Sequence, residues 1–262
     1  MKVNNIHSCH LGPDISPEQF IPEHFFLFLI KGEMIAFDGN KNYQLKAGDY
    51  CIARKNHLVR YTKFKNEGLF EKIIIVFDEP FLRKFIDRNT PVMQSWAVDN
   101  SFLFIEEDKL INNFILSLGP YYNTNEQIDD QFSYVKREEL LLILLRNNPK
   151  LTAVFFNFAV PQKIDLEEFM NRNFRFNISM ERFAFLTGRS LSTFKRDFQK
   201  VFSFNPGQWL TKKRLDEAYF LLKNEKQKPT EVYLNVGFED LSHFSFAFKK
   251  QFGIAPSELN LE

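Results

Sequence analysis

Leu191-Ser192-Thr193-Phe194-Lys195-Arg196-Asp197-Phe198-Gln199-Lys200-Val201-Phe202-Ser203-Phe204-Asn205-Pro206 returns fifty residues later as Leu241-Ser242-His243-Phe244-Ser245-Phe246-Ala247-Phe248-Lys249-Lys250-Gln251-Phe252-Gly253-Ile254-Ala255-Pro256. Seven positions agree: the leucine, the serine, three phenylalanines spaced by four, one lysine and the final proline. One supersecondary unit therefore occurs twice. The leucine and phenylalanines fall at helical spacing, so each copy is a helix that buries that face and presents the polar residues between.

The flanks repeat as well. Before the first copy a short helix starts at the cap candidate Ser179 and ends in a turn at Gly188, and Ser190 is placed to cap the helix that follows. Before the second, a short helix is expected from a capping Thr230, then a turn at Gly237 and a cap at Asp240. Each is a helix-turn-helix by spacing and chemistry. Pro206 to Leu222 reads as one long helix between them, with Pro206 in its first turn. A rigid connector of this kind fixes the separation of two reading units, so that both can enter successive major grooves about 34 Å apart.

The outward residues are Ser192, Thr193, Lys195, Arg196 and Gln199 in the first copy, and Ser242, His243, Ser245, Phe246 and Lys249 in the second. They suit the major groove, where arginine is the commonest partner of guanine and hydroxyls take either base or phosphate. For a single serine, plain surface is the more ordinary explanation. Opposite Arg196, Phe246 offers only apolar contact such as a thymine methyl, so the first helix is expected to supply most base discrimination and the second mainly to position. The whole chain carries a formal net charge of only +1. Arg172 to Lys250, however, holds fifteen Lys or Arg against eight Asp or Glu, a balance of +7 that leaves −6 for the remainder. A basic region confined to one end is the footprint of a single nucleic-acid-binding domain.

From about Asp165 to Leu259 the chain resembles the AraC/XylS family of transcription regulators. Gly237-Phe238, Ser242, Phe244, Phe248-Lys249, Phe252-Gly253 and Pro256-Ser257 reproduce that family's C-terminal signature, with Ala184, Gly188, Arg214 and Ala218 upstream. The resemblance implies base contacts from Ser192, Lys195 and Arg196 in the first recognition helix and from Ser242, His243 and Phe246 in the second. It also implies double-stranded DNA and RNA polymerase as partners and control by a small-molecule effector or a regulatory protein, while a homodimer is expected from the Leu140 to Leu145 run and a cytoplasmic location from the lack of a signal-peptide or membrane-spanning stretch. Tyr233 stands where the family usually has alanine, and Phe246 where arginine is common.

The first half reads differently. Phe25 to Phe77 breaks into short apolar strands, Phe25–Ile30, Met34–Phe37, Tyr43–Leu45, Tyr50–Ala53 and Ile73–Phe77, separated by Lys31-Gly32, Asp38-Gly39-Asn40 and Ala47-Gly48-Asp49. Close spacing of this kind indicates a barrel or sandwich, and the family resemblance, looser here, implies a cupin-like β-barrel. Helical spacing follows from about residue 81, again at Lys109 to Leu118, and in Gln131 to Arg146, where Leu140 to Leu145 is apolar on nearly every face. That helix is expected to be buried all round, either in the core or at a subunit interface. The fold class is thus α+β, with a cupin-like sensing and dimerisation domain over 1–160 and a double helix-turn-helix DNA-binding domain over 161–262.

Composition bounds the alternatives. Hydrophobic residues make up 44% and charged residues 26% of 262, so a sizeable core is expected, filled largely by the 32 phenylalanines. The first residues form no signal peptide, and the longest apolar run is far short of the roughly 20 residues of a membrane span. Cys9 and Cys51 are expected as free thiols. The competing reading is a metal-dependent cupin enzyme with an appended helical domain. It needs clustered ligands, and the strands hold only His24 and His57, while His7-Ser8-Cys9-His10 reads as accidental ligand types in a mobile arm. No catalytic residue, metal site or cofactor is expected.

Overall fold

The computed structural model describes residues 6–9, 19–122 and 128–259, with no side-chain detail for 6–9. Two compact units divide the chain, Met1–Ala159 and Val160–Glu262. None of the described helices is long and apolar enough to cross a membrane.

The first unit is rich in sheet. Its strands are β1 (Ile6–Cys9), β2 (Phe20–Ile21), β3 (His24–Lys31), β4 (Glu33–Phe37), β5 (Asn42–Lys46), β6 (Tyr50–Ala53), β7 (His57–Leu58), β8 (Arg60–Phe64), β9 (Glu71–Phe77) and β10 (Phe102–Phe104). They pair antiparallel in three sheets ordered β1-β9-β3-β6-β10, β2-β7 and β5-β4-β8. Among the described residues these ladders do not close into one ring. β3 lies at the centre of the largest sheet, Phe26 facing Ile75 on one side and Ile52 on the other. Alternation then sends Phe26 and Phe28 to one core, and Phe25, Leu27 and Leu29 to a second. Both faces of β3 are covered, which is why Phe25–Ile30 is a continuous apolar run.

The core on the Phe26 face is completed by α1 (Glu79–Asn89), α2 (Lys109–Leu118), α3 (Asp130–Asn147) and the short α4 (Thr152–Phe155). Asp78 caps α1 by accepting from the Phe81 N–H at 2.9 Å, and its other oxygen accepts from Arg137 of α3 at 2.6 Å. The Arg137 guanidinium lies 4.1 Å from the Phe81 ring centre, so one buried cation ties α3 to the start of α1.

Three readings change here. β1 pairs with β9 along Ile6 to Cys9, so the segment read as a mobile arm is an edge strand; His10 lies outside the described residues. The short or half-polar strands β2, β7 and β8 had no apolar run to mark them, and β10, within the apolar run Phe102-Leu103-Phe104-Ile105, is a strand not among those expected. α3 is not buried all round: Leu140, Leu141 and Leu144 enter the core, whereas Leu142 is 47% exposed. Cys51 is a buried free thiol whose titration burial pushes up.

The second unit is helical: α5 (Leu166–Asn173), α6 (Met180–Leu186), α7 (Leu191–Phe202), α8 (Pro206–Asn224), α9 (Pro229–Asn235) and α10 (Leu241–Phe252). α8 spans about 28 Å at 1.5 Å per residue.

Candidate nucleic-acid interface

α6 with α7, and α9 with α10, form the two helix-turn-helix units, and their starts are fixed by local chemistry. Ser179 accepts from the Arg182 N–H, Ser190 from that of Thr193, and Asp240 from that of His243 at 2.7 Å. Thr230 is not a cap. α9 begins at Pro229, whose fixed φ suits the first helical position, so the cap position falls on Lys228, whose side chain has no acceptor and makes no cap bond. Gly188 and Gly237 make the turns at φ +66° and +100°, and each is also crowded. A Cβ on Gly188 would lie 2.3 Å from the Gln162 carbonyl carbon, and one on Gly237 2.5 Å from the Arg175 oxygen.

The repeated phenylalanines do what their spacing predicts. Phe194, Phe198, Phe244 and Phe248 are fully buried. Phe198 and Phe202 pack on Trp209 of α8, with ring centres 5.6 and 4.6 Å away, and Phe252 packs on Tyr219 at 4.8 Å. α8 thus serves both helix-turn-helix units, one near each end.

With those faces committed, Ser192, Lys195, Arg196 and Gln199 stand exposed along α7, and Ser242, His243, Phe246 and Lys249 along α10. Thr193 and Ser245 are half-buried. Thr193 Oγ1 accepts from the Ser190 hydroxyl at 3.0 Å, and Ser245 donates back to the Leu241 carbonyl at 2.8 Å, so both already hold local bonds. Arg196 lies only 3.5 Å from Asp197 and remains largely in water.

The contacts of Arg189, Arg175 and Arg214 were not legible from local pattern. Asp197 receives Arg189 at 3.2 Å and Lys163 at 3.5 Å, and chiefly the Arg189 bond holds its carboxyl below the usual range. Arg189 also donates to the Ile164 and Thr187 carbonyls, fastening the segment before α5 to the first turn. Arg175 forms a two-pronged pair with Glu217 of α8. Arg214 of α8 donates to three carbonyls, those of Phe174, Phe176 and Gly237, and burial lowers its pKa to about 10. Phe174 and Phe176 lead into the first helix-turn-helix and Gly237 turns the second, so Arg214 holds the two together.

Residues 24–154, half of the chain, match the family described as ExsA N-terminal regulatory domain, and residues 183–261 match a helix-turn-helix domain. The chain belongs to the AraC/XylS family of DNA-binding transcription regulators. The regulator is 24% identical over 238 residues to VirF, a virulence regulon transcriptional activator of Yersinia enterocolitica, covering 89% of this chain and 87% of VirF. It is 23% identical over 265 residues to the regulator ExsA of Pseudomonas aeruginosa, covering 96% and 91%. Among solved structures, a single-residue variant of apo ToxT from Vibrio cholerae aligns with a TM-score of 0.47 at 14% identity, over 97% of this chain and 95% of ToxT. Among the described residues, no three His, Cys, Asp or Glu are grouped to hold a metal ion.

Proposed function

We propose that the regulator reads double-stranded DNA with α7 and α10 set in successive major grooves, and activates transcription together with RNA polymerase. The DNA is contacted by Ser192, Thr193, Lys195, Arg196 and Gln199 on α7, and by Ser242, His243, Ser245, Phe246 and Lys249 on α10. The observation that carries this is Arg214, because a half-buried cation shared by both helix-turn-helix units sets a fixed spacing between two exposed polar stripes. Activation is supported by the likeness to VirF, a transcriptional activator. The N-terminal unit acts as a cupin-like sensing and dimerisation domain, responding to a small molecule or to a partner protein, and the protein works in the cytoplasm as a homodimer. No catalytic role is assigned to it.

The test is binding to duplex DNA as a function of salt. Six to ten phosphate contacts reduce affinity by about 10³–10⁵ between 50 and 200 mM salt. The fragment from about Pro161 retains binding if the second unit is the reading domain. A folded fragment with no affinity for any duplex at low salt overturns the proposal.

A further inference from the structure

We propose that Phe246 reads sequence in the second half-site by seating its ring against the 5-methyl group of a thymine. This deepens the DNA-binding reading of α10 and rests on it. Phe246 is 70% exposed, the most exposed phenylalanine among the described residues, on a helix that buries Phe244 and Phe248 completely. Folding gains nothing from a ring held in water, since the stabilisation of an apolar side chain comes from its removal from water. The ring shares one helical stripe with Ser242, four residues before it, and Lys249, three after, which are the residues turned outward beside it.

Its immediate neighbours favour an apolar contact. The Ser245 hydroxyl is turned into its own helix toward the Leu241 carbonyl and is already bonded there. Ala247 stands where the first repeat carries Asp197, so the acid that neighbours Arg196 in the chain has no counterpart after Phe246. Of the base edges in the major groove only thymine presents a methyl, whereas guanine, adenine and cytosine present donors and acceptors that are costly to cover with a phenyl ring. Phe246 therefore discriminates thymine from cytosine at one position. Its effect is weaker than that of a bidentate arginine.

Duplexes selected from a random pool by the full-length protein are resynthesised with single thymines replaced by deoxyuridine, which removes the methyl and keeps the pairing. The wild type loses about fourfold in affinity at one thymine, the amount expected for one methyl-sized group. Phe246→Ala binds the thymine and deoxyuridine duplexes alike at that position, with its thermal midpoint unchanged, and Phe246→Leu keeps part of the difference. A wild type indifferent to every deoxyuridine, or Phe246→Ala showing the same fourfold loss, overturns the assignment. So does a loss in Phe246→Ala that is equal on every duplex. A wild type that selects no duplex at all overturns the DNA-binding reading beneath it.

Discussion

Arg214 Nη1 donates to the Gly237 carbonyl at 2.9 Å, so a side chain of the connecting helix ends in the turn of the second helix-turn-helix. Its other nitrogens reach Phe174 and Phe176 at 2.7 Å. Three backbone acceptors from distant parts of the unit thus depend on one guanidinium. Gly237 allows the approach, because a Cβ there would lie 2.9 Å from Arg214 Nε.

Arg214→Met is expected to destabilise the C-terminal unit by about 3 kcal/mol, since it strips charged hydrogen bonds from carbonyls shielded from water. Urea unfolding measures the loss. If stability is unchanged, the three carbonyls have found other donors and the shared cation is not what joins the two helix-turn-helix motifs.

Arg196→Ala is expected to relax preference at one base pair by roughly 1–3 kcal/mol and to leave non-specific binding nearly unchanged. Lys249→Ala should instead weaken binding to all sequences and lower the salt slope by about 1. Binding across a library of single-base variants separates the two. A uniform loss for Arg196→Ala assigns that residue to phosphate.

α7 closes on Ser203 in the left-handed region at φ +58°, where α10 closes on Gly253 at φ +81°. A side chain in that conformation costs about 1 kcal/mol. Ser203→Gly should therefore raise stability by about that amount, read as a higher urea midpoint. A lower midpoint would mean that Ser203 contributes a contact greater than its strain.

Phe132, Val135 and Leu142 lie exposed on one face of α3, while Leu141 is in the core. For a dimer formed through this helix, Val135→Glu with Leu142→Glu yields a folded monomer in sedimentation, and Leu141→Glu unfolds the first unit. Charge at the fully buried position has no water and no partner. An unmodified protein that sediments as a monomer at micromolar concentration removes the basis for the dimer.

His24 is buried, accepts at Nδ1 from the Lys55 N–H at 3.2 Å, and meets Phe155 edge to face. Burial first, then the charges of Lys55 and Arg54, lower its pKa from 6.5 to about 3. Below about pH 6.5 the unfolded chain takes up a proton that the folded unit refuses until about pH 3. Stability attributable to His24 therefore falls as pH falls across that window, by up to about 1.4 kcal/mol per pH unit, and is constant above it. The drop in urea midpoint from pH 7 to pH 5 should be smaller in His24→Leu than in the wild type. An equal drop in both places the acid sensitivity elsewhere.

What the amino-acid sequence determines by itself is what neighbouring residues can encode. Phenylalanines four apart mark a buried helix face, Ser190 and Asp240 supply caps within three residues, and Gly188 and Gly237 take backbone angles that other residues resist. Both helix-turn-helix units and their outward stripes follow from that. Thr230 failed as a cap because Pro229, with its φ preset for the helix, took the first position and moved the cap two residues back to Lys228. The strands that escaped notice, β8 and β10 among them, are short or half-polar and form only when a distant strand supplies their hydrogen bonds. Tertiary structure alone decided that Ile6–Cys9 lies along β9, that Leu141 rather than Leu142 faces the core, and that Arg214 gathers carbonyls from residues 174, 176 and 237. Each depends on groups dozens of residues apart, whose meeting is set by the packing of whole elements and leaves no periodic trace in the chain.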